Sequence, residues 1–213
     1  MLHIDLYTEI SCPWCFVGEH RLDKVLAERF HDLAVNIRRH PVLLLPDAPV
    51  SGVFIPDLLR QRYGVTDPKA AFARPEAEAR ASGFSLDLSR QQWAYPTQSA
   101  HALILAAHDS GEQHRLATAI SEAYFLDAKN IADPDVLADI AATHGFDRAR
   151  ARAIAIDPAR RKHVEAEAAK SALAGVRSVP HFVFGGRVAI NGARSEDEIA
   201  RAITEAAGAS AIG

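Results

Sequence analysis

The chain has 213 residues, 48% hydrophobic and 24% charged, the balance of an ordinary globular protein with room for one large domain or one domain with a sizeable insertion. Its formal net charge of −3 argues against nucleic acid as the main partner, because phosphate binding needs a basic surface. The one basic cluster, Arg160-Arg161-Lys162, has Glu165 and Glu167 nearby in a helical stretch and reads as a solvated face. The first residues lack a basic n-region, Asp5 and Glu9 interrupt any apolar h-region, and no apolar run approaches membrane-spanning length. The expectation is a cytoplasmic protein with no membrane partner.

Leu2, Ile4 and Leu6 alternate with His3, Asp5 and Tyr7, which predicts a first strand. Cys12-Pro13-Trp14-Cys15 follows. Pro13 suits the first position of a helix, where its missing N–H costs nothing. Val17, Leu22, Val25, Leu26 and Phe30 carry helical spacing from there. Leu33, Val35 and Ile37 alternate again, and Pro41 closes that second strand. Residues 46–96 give the weakest signal, with several prolines, a short helix at 56–63 and another around 75–81. The middle then reads as helices over 98–109, 112–128 and 134 to Gly145. Asp157-Pro158 is an N-cap and N1 pair opening a helix to about Ala174. At the C-terminal end, two β-rich runs, 181–184 and 187–190, flank Gly185-Gly186, a two-residue hairpin signal. Ser195 and Glu198 form a capping box for a last helix to about Ala207.

The two cysteines are the only ones in the chain. A close pair at a helix start, in a compartment that keeps thiols reduced, points to redox chemistry rather than a structural staple. The nucleophile in disulfide exchange is the thiolate. Cys12 falls at the N-cap, facing the free N–H groups and the positive end of the helix, so its pKa is expected to be depressed. Cys15, one turn on, should be more buried and act as the resolving thiol. Pro13 and Trp14 tune the couple and add no charged group. Half of a zinc site is the bland reading, but four ligands are needed and no second CxxC or close histidine pair supplies them; His108 and His114 are six apart across a predicted break. No metal is expected. Asp5 or Glu9 could accept a proton from Cys15, although strand alternation favours both pointing to solvent. Trp93 and Tyr95 either line a groove or fill the core.

These residues resemble the DsbA family of thioredoxin-like oxidoreductases, most closely its cytosolic FrnE-like branch. The resemblance runs over nearly the whole chain. It rests on Cys12-Pro13-Trp14-Cys15-Phe16-Val17-Gly18 and on Gly175-Val176 with Val179-Pro180, supported by Arg62-Tyr63-Gly64, Thr97 with Ala100-His101, Ala123-Tyr124-Phe125 and Gly192-Ala193. It implies an α/β, thioredoxin-like fold with an all-helical insertion domain. Residues 1–45 and 157–213 would form the discontinuous thioredoxin-like domain and 46–156 the insertion. It implies that Val179-Pro180 is a cis peptide facing the CxxC, with the Val179 backbone pairing an extended substrate. Thr97 and His101 match a family segment near the active site, here with Pro96-Thr97 where Asn-Thr is usual. Periplasmic members that oxidise strongly carry histidine where Trp14 stands, which implies a less oxidising couple here.

The function this predicts is a thiol–disulfide oxidoreductase or isomerase with no bound cofactor, a redox-active Cys12–Cys15 disulfide, and glutathione as a candidate co-substrate. Its partners would be disulfide-containing proteins or small thiols, with the oligomeric state open and a dimer among the options. A glutathione-dependent enzyme like the kappa-class transferases or 2-hydroxychromene-2-carboxylate isomerases is the first alternative, though these typically carry serine in place of Cys12. The N-terminus of the last helix could hold a glutathione carboxylate. Glu196, Asp197 and Glu198 crowd it with negative charge, which favours plain capping. A chaperone-like binding module is the second alternative.

Overall fold

The computed structural model describes residues 1–208. Its elements in chain order are β1 (Leu2–Thr8), α1 (Pro13–Arg29), β2 (Val35–Pro41), β3 (Val53–Phe54), α2 (Ile55–Tyr63), α3 (Pro68–Ala81), β4 (Trp93–Ala94), α4 (Gln98–Ala106), α5 (Gln113–Phe125), α6 (Pro134–Ala142), α7 (Arg148–Ile156), α8 (Pro158–Leu173), β5 (His181–Phe184), β6 (Val188–Asn191) and α9 (Glu196–Gly208).

The main sheet has the order β2-β1-β5-β6. Strand β1 runs parallel to β2, with Leu2 opposite Val35 and Thr8 opposite Pro41, and antiparallel to β5. The parallel pair is joined through α1, a βαβ unit. The alternation in β1 buries Leu2, Ile4, Leu6 and Thr8 on one side. Ile4 and Leu6 join Leu22, Val25, Phe182, Phe184, Ile199 and Ile203 in a core between the sheet, α1 and α9. Full burial of one such side chain contributes about 1.5–3 kcal/mol.

A second core joins Phe16 and Val17 of α1 to the helices between β2 and β5, through Leu103, Leu116, Ile120, Tyr124, Leu137 and Val164. Helix α1 therefore carries apolar residues into both cores, and the cysteines lie at its N-cap and in its first turn. The segment between β2 and α8 also holds the short ladder of β3 with β4, pairing Val53 with Ala94 and Phe54 with Trp93.

Several boundaries depart from the sequence reading. Pro75, expected to open a helix, lies inside α3, which starts earlier because the Asp67 carboxylate accepts from the Lys69 amide and Pro68 follows it. Helix α7 was not predicted; Asp147 caps it through the Arg150 amide. Helix α4 stops at Ala106, and its last turn tightens where the Ala107 amide donates to both Leu103 and Ile104 carbonyls. The β5–β6 turn uses three residues rather than two, because Phe184 pairs with Val188. The Asp157 cap and the Ser195–Glu198 box form as expected, and Asp133 caps α6 through the Asp135 amide.

Candidate active site

Cys12 is the N-cap of α1, in extended conformation, with Pro13 just inside the helix. Its carbonyl accepts from the Phe16 amide and its own amide donates to the Glu9 carbonyl. Both cysteines are free thiols; Cys12 is 8% exposed and Cys15 1%. The Cys15 thiol donates a hydrogen bond to the Cys12 sulfur, and this bond is the main influence holding the Cys12 pKa below the ordinary thiol value. Burial opposes it. The amides of Cys15 and Trp14 at the helix start lower it further, although neither makes a full capping bond to the sulfur. Cys15 moves the other way: burial first, then the bond to Cys12 and the Cys12 charge, push its pKa well up. The two sulfurs thus differ as a nucleophile and a proton-holding partner would.

Val179-Pro180 is a cis peptide, as the resemblance implied. Pro180 is buried and packs on α1 at Gly18, where a Cβ would meet Pro180 Cγ at 2.8 Å. The Pro180 carbonyl accepts from the Gly192 amide at 2.8 Å. Val179 is half-buried.

Alternation sent Glu9 to solvent, and this expectation fails. Strand β1 ends at Thr8, so the alternation does not reach Glu9, which is 1% exposed. Its carboxylate accepts from the Leu44 amide at 3.0 Å and from Thr97 Oγ1 at 3.1 Å. His101 Nε2 lies 3.6 Å from Glu9 Oε1, makes no hydrogen bond, and is buried. Thr97 and His101 are thus buried around Glu9 rather than lining the cavity described below. The Glu9 charge is felt at Cys12, where it opposes ionisation as the weakest influence. Asp5 sits on the other face of β1 and pairs with His40 Nε2 at 2.7 Å.

Two ion pairs, one buried on both sides and one with only its arginine buried, have no local signal in the sequence. Glu19, one turn beyond Cys15, binds Arg39 of β2 at 2.8 Å, and both side chains are 3% exposed. Arg39 also donates to Thr8 Oγ1 and to His114 Nδ1, and His114 Nε2 reaches Asp23 at 2.7 Å. Because Arg39 is a donor, His114 Nδ1 accepts and Nε2 carries the proton toward Asp23. Arg21 of α1 meets Glu78 of α3, Ser82 just past its end, and the carbonyls of Ala193 and Arg194. The partners lie too far apart in sequence for any local pattern to signal them.

One face of Cys12 opens onto a cavity of about 390 Å³ between the helix start and α2 and α3. Cys12, Pro13 and Trp14 line it together with Leu58 and Leu59 of α2 and Phe72 of α3. Trp14 was expected to bring no charge, and its own side chain brings none. The Arg74 guanidinium lies 5.3 Å from the Trp14 ring centroid and places a cation there. Neither Trp93 nor Tyr95 lines the cavity; Trp93 packs at 5.4 Å on Phe54 and Tyr95 is buried.

Among the described residues, no three His, Cys, Asp or Glu side chains group as a metal site, and no helix is long and apolar enough to cross a membrane. The acidic start of α9 is already engaged: Glu196 pairs with Lys24, Asp197 with Arg29, and Glu198 closes its box with Ser195.

The chain belongs to the DSBA-like thioredoxin domain family, whose model matches residues 3–204. It is 27% identical to a structure described as a probable DsbA oxidoreductase from Streptomyces coelicolor, covering 98% of this chain and 91% of that one with a TM-score of 0.86. The cytosolic disulfide reductase DsbM of Pseudomonas aeruginosa, solved with GSH, shares the fold at 18% identity, with 98% of each chain covered and a TM-score of 0.64. A 2-hydroxychromene-2-carboxylate isomerase shares it at 14% identity, with 98% of each chain covered and a TM-score of 0.71. The Bacillus subtilis protein YwbO, described as uncharacterized, is 24% identical, with 96% of each chain covered. The fold is that of DsbA-type thiol–disulfide oxidoreductases, with a helical segment within the thioredoxin-like unit.

Proposed function

We propose that this family member is a cytosolic thiol–disulfide oxidoreductase or isomerase working through the Cys12–Cys15 dithiol. The observation that carries the reading is geometric: two free thiols open one helix, Cys12 at its N-cap and on the cavity, Cys15 buried one turn on, with their mutual hydrogen bond favouring the Cys12 thiolate. The Cys12 thiolate attacks a substrate disulfide, forms a mixed disulfide and expels one substrate thiolate. Cys15 then loses its proton, attacks the Cys12 sulfur and expels the second thiolate. The enzyme ends as a disulfide, having given two electrons, and the substrate ends as two thiols.

Pro180, buried against α1, would present the Val179 backbone to an extended substrate. Thr97 would act from behind, by hydrogen-bonding Glu9, with the His101 ring packed beside that carboxylate. Residues 1–45 and 157–213 would form the thioredoxin-like unit, of which 209–213 lie outside the described residues, and 46–156 the insertion. The core around Leu6, Phe182 and Ile203 draws only on 1–45 and 157–213, which supports that division, although Val164 of α8 packs with the helices of the insertion. A reducing role in the cytosol accords with Trp14 in the tuning position and with the similar fold of the disulfide reductase DsbM. That protein's structure with GSH makes glutathione the first co-substrate to try.

The test uses wild type, Cys12→Ser and Cys15→Ala with a protein disulfide and with glutathione, and titrates the couple in redox buffers. Cys15→Ala should accumulate mixed disulfides through Cys12. Equal exchange activity in wild type and Cys12→Ser would end this reading. A couple as oxidising as that of DsbA, near −120 mV, would reverse its direction.

A further inference from the structure

The cavity beside Cys12 carries a statement about substrate class, which rests on the oxidoreductase reading. Its walls are mostly apolar, and among the described residues no aspartate or glutamate lines it. Among the described residues, Arg62 is the one basic side chain in its wall. Arg62 Nη1 donates to the Leu44 carbonyl at 2.8 Å, and the guanidinium lies 5.8 Å from the Tyr63 ring centroid. No carboxylate among the described residues pairs with it. Arg74, over Trp14, likewise has no carboxylate partner among the described residues. Two arginines without acidic partners therefore flank an apolar cavity that ends on a nucleophilic sulfur. Such an arrangement draws anions toward low-dielectric walls, and its volume lies within the range of about 300–1,000 Å³ typical of small-molecule sites.

We infer that the cavity selects a small disulfide with an apolar body and a carboxylate. The body lies against Leu58 and Phe72, the carboxylate on Arg62, and one sulfur against Cys12 Sγ. Exchange then runs as above: Cys12 Sγ bonds to the near sulfur, the far half leaves as a thiolate, and Cys15 releases the near half as the enzyme closes its own disulfide. Glutathione disulfide has the charge without an apolar body. A polypeptide strand would bring backbone N–H and C=O groups that these walls leave unpaired.

The experiment measures the rate at which the reduced protein reduces three probes. Dithiobis(nitrobenzoate) is aromatic with carboxylates, dithiodipyridine is aromatic and neutral, and glutathione disulfide is anionic and polar. Each variant is read against wild type on the same probe, so intrinsic reactivity cancels. Arg62→Gln should lower the rate with dithiobis(nitrobenzoate) about tenfold, which is ~1.4 kcal/mol, with a clearly smaller loss for dithiodipyridine. Arg62→Lys, which keeps the charge, should restore most of it. Leu58→Gln should lower the rate with both aromatic probes more than with glutathione disulfide. Equal losses across the probes, or none with the carboxylate probe, overturn the inference. Equal losses in reducing insulin would also overturn it, assigning the wall to polypeptide. Failure of the oxidoreductase reading looks different: wild type and Cys12→Ser would then act alike on every probe.

Discussion

The ring of Pro180 rests on Gly18, in the space a side chain would fill: a Cβ there would stand 2.8 Å from Pro180 Cγ and 3.3 Å from Phe182 Cζ. This contact joins the segment before β5 to the helix that carries both cysteines. Gly18→Ala should gain up to about 1 kcal/mol of helix propensity and lose about 1–3 kcal/mol to overpacking. The expected outcome is a net loss in urea denaturation and slower disulfide exchange, because Pro180 must shift. A more stable variant with wild-type exchange would show that the contact yields freely.

Cys12 and Cys15 should separate by pH. The fold favours ionised Cys12, so this contribution to stability is present above the ordinary thiol pKa and is lost as pH falls through the lowered one. It favours protonated Cys15, a contribution present below the ordinary value and lost as pH rises through the raised one. Alkylation by iodoacetamide should follow Cys12 with a midpoint below that of a free thiol, with Cys15 silent. Cys15→Ala removes the largest lowering influence, so the Cys12 midpoint should rise. An unchanged midpoint would assign the activation to the helix start alone.

Glu9→Gln removes the buried charge that opposes Cys12 ionisation while leaving an amide oxygen to accept from Thr97 or Leu44. The Cys12 alkylation midpoint should fall. A rise would mean that Glu9 aids ionisation through a route other than its charge.

Arg39→Met leaves the Glu19 carboxylate buried without its cation. The expected loss is about 3–5 kcal/mol in urea denaturation. Replacing both, Arg39→Met with Glu19→Leu, should recover most of it, since the apolar pair leaves no charge unpaired. Equal losses in the single and double variants would place the effect in packing rather than charge.

The local chemistry was legible from residue order. Pro13 at N1 places Cys12 at an N-cap, and Asp133, Asp157 and Ser195 mark helix starts by the same chemistry. Asp67 and Asp147 cap in the same way, but their helices lack the clean apolar period that would mark them in the sequence. Glu9 was misplaced because alternation says nothing beyond the last paired residue of a strand.

By itself the sequence determined that two thiols stand one helical turn apart at a helix start, and which of them faces the free amides. Those are short-range consequences of bond geometry and capping. Tertiary structure alone decided what surrounds them. Glu9 meets Thr97 across 88 residues, Glu19 meets Arg39 of β2, and the cavity at Cys12 is closed by leucines of α2. Such partners are chosen when apolar faces pack and water leaves. The hydrogen bond between the two sulfurs, with the deeper burial of Cys15, then separates their ionisation, and the packed helices limit which disulfide can reach the sulfur.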